Sequence, residues 1–302
     1  MPKSIAWSGV FPALTTKFTS SQELDLPALE RHIAFQREAD VDGLIVLGSL
    51  GENGTLDAPE KEAVIRTTLE AAGSLPVVVT LAERSTRAAC RFAERAADLG
   101  AAGLMLLPPM QYPSEPRETM AYLRAVAKAT DLPIMLYNNP LAYRTDLTVD
   151  ILEALADEPH FQALKESCGD VRRITDLHNR LGDRYAVFTG VDDLAMESLM
   201  LGAVGWVAGL VVAFPKETVA LYRLVKAGKI EEAVELYRWF MPLLHLDVSD
   251  RFVQNIKLVE QLVGVGSETV REPRLPLIGE ARAKVIAIVE QALATRPALA
   301  NA

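Results

Sequence analysis

Eight short apolar runs, separated by stretches patterned for helix, narrow the fold of this sequence more than any other feature. The runs are Gly9–Phe18 (GVFPALTTKF), Gly43–Gly48 (GLIVLG), Pro76–Ala82 (PVVVTLA) and Gly103–Pro109 (GLMLLPP). Pro133–Asn139 (PIMLYNN), Phe161–Ser167 (FQALKES), Tyr185–Val191 (YAVFTGV) and Gly205–Gly209 (GWVAG) follow. Each is bounded by Gly, Pro or polar residues, the pattern of strands buried on both faces of a parallel sheet. Between them lie helix signals. Asp57 is placed as a cap ahead of Pro59 and an acidic first turn, and Thr86 opens a run that Gly100 ends. Residues 116–128, 148–156 and 215–227 read the same way. Eight strand-then-helix units predict a closed TIM (β/α)8 barrel. An open doubly wound sheet is the alternative, and no Gly-x-Gly-x-x-Gly follows the first run to favour it.

The strand pattern stops near Ala227. Residues 1–227 are therefore expected to form the barrel that carries the active site. Residues 228–302 are expected to be a C-terminal helical segment packed on the barrel or at a subunit interface, with helices over 229–246, 253–262 and 280–294. A formal charge of −9 without a basic stripe argues against nucleic acid as a partner. No apolar stretch approaches the roughly 18 residues of a membrane span, and the first residues lack a signal-peptide core. The expectation is a cytoplasmic protein. Its two cysteines, Cys90 and Cys168, are not spaced for metal, and a disulfide between them is the less expected state.

In such a barrel the strand C-termini surround the active site, so the polar residues where each run ends are the candidates. Run six ends on Lys165, placed directly after Ala163 and Leu164. Desolvation there favours the neutral amine, which can attack a carbonyl; an ion pair with a nearby carboxylate is the alternative reading. Tyr137, at the end of run five, can relay protons, though a core tyrosine with a wet hydroxyl reads the same way. Gly48, Ser49 and Leu50 place backbone N–H groups and a hydroxyl where a carboxylate could bind. No lysine follows Gly54, so the glycines are not a P-loop. The histidines, His32, His160, His178 and His245, are scattered and read as structural, and no ligand cluster calls for a metal.

Five segments together resemble the dihydrodipicolinate synthase/N-acetylneuraminate lyase family. They are Gly9–Thr16 (GVFPALTT), Gly48–Glu52 (GSLGE), Leu136–Pro140 (LYNNP), Leu164–Asp170 (LKESCGD) and Gly190–Asp193 (GVDD), in order at barrel spacing. The resemblance implies class I chemistry: Lys165 forms an imine with a 2-oxo carbon, so no separate cofactor is required. Tyr137 would move protons at that centre with help from the Ser49 hydroxyl, and backbone groups near Ser49 and Leu50 would hold the substrate carboxylate. Thr15, Gly190 and Val207, together with Gly48, Leu50, Tyr112 and Tyr143, complete the substrate-facing set. The resemblance also implies a homotetramer built as a dimer of dimers, in which Gln111 or Tyr112 reaches the neighbouring site.

Two departures bear on the substrate. Leu50 stands where the family carries a second hydroxyl, and Leu141, Ala142 and Tyr143 occupy the stretch where its synthases carry a carboxylate-binding arginine, Arg144 coming later. The segments Trp239–Asp247, Val253–Leu258 and Arg271–Pro276 look closest to a bacterial hydroxyproline-degrading branch, the 1-pyrroline-4-hydroxy-2-carboxylate deaminases. The expected partner is accordingly a small 2-oxo acid or its cyclic imine. Pyruvate-dependent aldol chemistry is the second reading, and a catalytically silent oxo-acid-binding barrel the third.

Overall fold

The computed structural model describes residues 5–299. Each apolar run yields one strand: β1 Gly9–Pro12, β2 Leu44–Val46, β3 Val77–Leu81, β4 Gly103–Leu106, β5 Ile134–Asn138, β6 Phe161–Glu166, β7 Ala186–Thr189 and β8 Gly205–Ala208. Neighbours pair in parallel in the order β1-β8-β7-β6-β5-β4-β3-β2. The ring closes through a parallel bridge between Ala13 and Ile45, where Leu14 N donates to Ile45 O at 2.8 Å. The sheet is thus a barrel, not an open sheet.

The helices are α1 Leu26–Arg37, α2 Ala58–Ala71, α3 Thr86–Leu99, α4 Pro116–Ala127, α5 Pro140–Tyr143 and α6 Val149–Ala154. They continue with α7 Arg172–Leu181, α8 Ala195–Met200, α9 Pro215–Lys226, α10 Ile230–Leu244, α11 Phe252–Leu262 and α12 Gly279–Ala294. Local chemistry sets their ends. Asp57 and Glu60 form a capping box on α2, Ser85 caps α3 one residue before Thr86, and Gly100 ends α3 at φ 98°. Among the described residues no helix is long and apolar enough to cross a membrane.

Bulky side chains fill the barrel interior. Phe11 and Phe188 meet edge to face at 5.3 Å, and Trp7 stacks on Phe11. Gly43 and Gly205 make room for them: a Cβ at either would lie 2.2 Å from the Phe11 or Phe188 ring. The mouth therefore stands on an apolar, packed floor.

The segment after Gly228 is tied into the barrel by charge as well as apolar contact. From α11, Lys257 reaches Glu52 at 2.5 Å and the Thr269 carbonyl at 2.8 Å. One turn on, Glu260 receives Lys17 at 2.6 Å and the Thr15 hydroxyl at 2.8 Å. All four charged side chains are buried. Buried ion pairs contribute little over apolar contact but are costly to break from one side. Lys257→Met, which takes the nearest cation from the buried Glu52 and leaves it the Arg271 N–H and, at 3.9 Å, Arg274, is therefore expected to lower stability by up to about 3–5 kcal/mol. Urea unfolding checks this, and adding Glu52→Gln should recover part of the loss.

Candidate active site

The ends of β5 and β6 are in register, with Tyr137 opposite Lys165 and Asn138 opposite Glu166. The Lys165 Nζ lies 4.3 Å from the centroid of the Tyr137 ring, and the lysine is only 7% exposed. Gly190, at the end of the adjacent β7, gives the lysine passage, since a Cβ there would lie 2.4 Å from Lys165 Cε. Side chains on the alternate parity lock the two strand ends together. Asn138 Nδ2 donates to the Glu166 carboxylate at 3.0 Å and to Asp146 at 3.1 Å. Asp146 in turn pairs with Arg173 at 3.0 Å.

Burial is the dominant influence on Lys165 and lowers its pKa from the ordinary value, opposed by Tyr143, Asp247 and Asp192. That opposition is weak in kind. Burial raises the Tyr143 phenol, so it is neutral at physiological pH. Burial, with the neighbouring Asp192, also raises the Asp247 carboxyl well above its ordinary value. The Asp192 carboxylate is shared with Trp206 Nε1 at 2.9 Å, Leu210 N at 2.8 Å and Gly209 N at 3.2 Å. No carboxylate forms an ion pair with Lys165 among the described residues, which removes the alternative reading of this lysine as a salt-bridge partner. A desolvated, unpaired amine beside a phenol is equipped to add to a carbonyl and to have protons moved around it.

Tyr143 is brought to the site by α5, a single turn capped by the Asn139 side chain and stopped by Arg144 at φ 58°. Its hydroxyl is 2.5 Å from Ser49 Oγ, and its ring meets Tyr137 edge on at 5.5 Å. Asn139 Nδ2 donates to the Tyr137 hydroxyl at 3.2 Å. Lys165, Tyr137, Tyr143 and Ser49 thus form one contiguous set. The turn bearing Ser49 is fixed from below, by Thr16 Oγ1 donating to Gly51 O at 2.6 Å and by Asn53 Nδ2 donating to Leu47 O at 2.8 Å. Gly48 lies over Thr80, and the Leu50 side chain is buried, so Leu50 can offer this set only its backbone.

The other expected contacts fall differently. Thr15, read above as substrate-facing, commits its hydroxyl to Glu260 and accepts from Lys17, because the buried carboxylate is the stronger acceptor. Val207 is buried in β8 as core. Gln111 and Tyr112 are both exposed, the Tyr112 hydroxyl donating to Glu118 at 3.0 Å. The histidines have structural partners: His32 Nε2 lies 2.7 Å from Val212 O, and burial lowers its pKa to about 4. His160 pairs with Glu158, His178 lies against Gly202 O and His245 against Asp193. Both cysteines are free thiols.

Strand-end reasoning missed one group. Asp247 follows α10 in sequence, yet its carboxyl packs on Gly209 at the end of β8, where a Cβ would lie 2.1 Å from Oδ1. Its only signal was its position at the end of the distinctive Trp239–Asp247 segment. Thr80 also stands out, with a buried hydroxyl lacking a hydrogen-bond partner among the described residues, and the Ser167 hydroxyl acts on the Tyr137 phenol.

Proteins of known sequence and structure resemble this chain over nearly its whole length. The model of the dihydrodipicolinate synthetase family matches residues 6–292. A 4-hydroxy-tetrahydrodipicolinate synthase from Exiguobacterium sibiricum is 34% identical over 278 residues, covering 92% of this chain and 94% of that protein. One from Methanosarcina mazei is 30% identical, covering 92% and 96%. Among solved structures, a putative dihydrodipicolinate synthetase from Pseudomonas aeruginosa superposes with a TM-score of 0.90 at 30% identity, covering 94% of this chain and 99% of that one. The Escherichia coli K12 prophage protein YagE, solved in complex with pyruvate, gives 0.89 at 26% identity, covering 95% and 99%. The chain belongs to the dihydrodipicolinate synthetase family.

Proposed function

We propose that this protein is a Schiff-base-forming lyase in which Lys165 makes an imine with C2 of a small 2-oxo acid or cyclic imine. The observation that carries the reading is the desolvated Lys165 Nζ, 4.3 Å over Tyr137 and free of any ion pair among the described residues. No cofactor is needed, because the protonated imine itself withdraws electrons from C3. Tyr137, assisted by Tyr143 and Ser49, is the proton carrier. The Ser49 and Leu50 N–H groups, which have no hydrogen-bond partner among the described residues, are suited to the substrate carboxylate.

The substrate we favour is 1-pyrroline-4-hydroxy-2-carboxylate, deaminated to 2-oxoglutarate semialdehyde in hydroxyproline degradation. Ala142 and Tyr143 stand where the family's synthases carry an arginine, and Arg144 is exposed, with no ion pair among the described residues. A substrate with one carboxylate has no use for that guanidinium. Lys165 adds to the ring C=N, and the ring nitrogen departs as an amine. A C3 proton and the C4 hydroxyl then leave as water. Shift of the new double bond and hydrolysis at C5 release ammonia, and hydrolysis at C2 frees the lysine. The balance is pyrroline plus one water giving semialdehyde plus ammonia. A pyruvate-dependent aldolase is the second reading, favoured by the relatives named as synthases and by pyruvate bound to YagE. A silent binding barrel has only Leu50 on its side. The assembly we favour is a dimer of dimers, with Gln111 or Tyr112 available to a neighbouring site.

Borohydride reduction in the presence of pyruvate or the pyrroline, followed by intact mass, should give a covalent adduct that Lys165→Ala loses together with turnover. Absence of an adduct with either compound would refute the reading. Ammonia from the pyrroline, set against pyruvate from 2-oxo-3-deoxy sugar acids, separates the first two functions. Tyr137→Phe should still form the imine slowly while turnover falls by about 10²-fold or more. Because the Lys165 pKa is lowered, imine formation should rise with pH and level off below 10.5, the ordinary lysine value. A midpoint at that value or above would contradict the desolvated amine.

A further inference from the structure

The turn after α10 is held on both sides. His245 Nδ1 lies 2.8 Å from Asp193 Oδ2, and Asn255 Nδ2 donates to Leu246 O at 2.9 Å. Tyr237, also on α10, donates to Asp193 O at 2.6 Å. This clamp presses Asp247 onto Gly209, where only a glycine leaves room for the carboxyl. Yet that carboxyl has no hydrogen bond or ion pair of its own among the described residues. Asp192, one strand over, has a comparable position and accepts three N–H groups. The two acids therefore differ in kind: Asp192 holds strand ends together, and Asp247 is positioned but left unbonded. Asp247 is half-buried, and its carboxyl, held against the end of β8 without a protein partner, is left available to a molecule bound at the mouth.

We propose that Asp247 is the proton donor to the hydroxyl leaving C4 of the substrate, a role that rests on the lysine-imine reading above. Once Lys165 holds C2 and the C3 proton has gone, the enamine pushes electrons toward C4. The C4–O bond breaks, the Asp247 proton goes to the departing oxygen, and water leaves with a conjugated iminium behind it. The Asp247 carboxylate then takes a proton from solvent. The groups facing Asp247 favour its acid form: burial and the neighbouring Asp192 and Asp193 raise its pKa, while Lys165 opposes them. Tyr137 also feels its charge. As a carboxylate the same group would instead accept the C4 hydroxyl proton and promote C3–C4 cleavage, so its protonation state selects elimination over aldol chemistry.

The test compares wild type with Asp247→Asn, which keeps the shape and removes the transferable proton. Exchange of pyruvate methyl protons in D2O reads the lysine enamine without any C4 leaving group. Ammonia release from 1-pyrroline-4-hydroxy-2-carboxylate reads the whole sequence. The proposal expects exchange near the wild-type rate in the variant, with ammonia release lower by about 10²-fold or more. It also expects a wild-type decline in ammonia release at alkaline pH that the variant lacks. Equal losses in both assays, or ammonia release close to wild type, overturn the role. Exchange without ammonia release in the wild type leaves the imine standing and overturns the elimination. No exchange in the wild type overturns the imine itself.

Discussion

Removal of water from the Lys165 ammonium is the constraint from which the site follows. In water that group keeps its proton to high pH; buried at the mouth of an apolar barrel, the charged form loses its hydration and needs a replacement. The surroundings supply little. The face of Tyr137 offers a quadrupole rather than a charge, Tyr143 is a neutral phenol, and Asp192 already accepts three N–H groups. The fold itself therefore shifts Lys165 toward the free amine before any substrate arrives. That is a consequence of β6 ending where the barrel floor of Phe11 and Phe188 stops.

Stability and chemistry share parts of the same backbone. Glu52 sits three residues after Ser49, and its carboxylate is bound by Lys257 and by the Arg271 N–H. Glu260, one turn beyond Lys257, fixes Thr15 and Lys17 beyond β1. The helical segment thus braces the Ser49 turn from outside and delivers Asp247 to the mouth from above β8. A barrel ending at α9 would lack both. This explains why the ion pairs are buried despite their desolvation cost, since an apolar pair would hold the helix but would not orient the turn.

Much of this was legible from the sequence because local patterns carry it. Strand runs bounded by Gly and Pro, and helices bounded by Asp57, Gly100 and Pro215, are short-range signals, and the observed elements fall on them. Lys165 and Tyr137 were legible because strand ends define the mouth. Thr15 met the same criterion, but its hydroxyl is engaged by Glu260, which lies 245 residues away and which no local signal announces. The turn of α5 is too short for periodicity, though Asn139 before Pro140 is a capping signature. Asp247 was hidden for another reason: it reaches the strand-end ring from outside the barrel, so counting strand ends passes over it.

The account stands on covalent bonding at one nitrogen, and a crystal structure of the protein soaked with pyruvate tests that most directly. It predicts continuous density from Lys165 Nζ to C2 of the ligand, with the carboxylate against the Ser49 and Leu50 N–H groups and the Tyr137 hydroxyl beside the imine. Pyruvate bound intact beside an unmodified Lys165, or bonded to a different lysine, would contradict it.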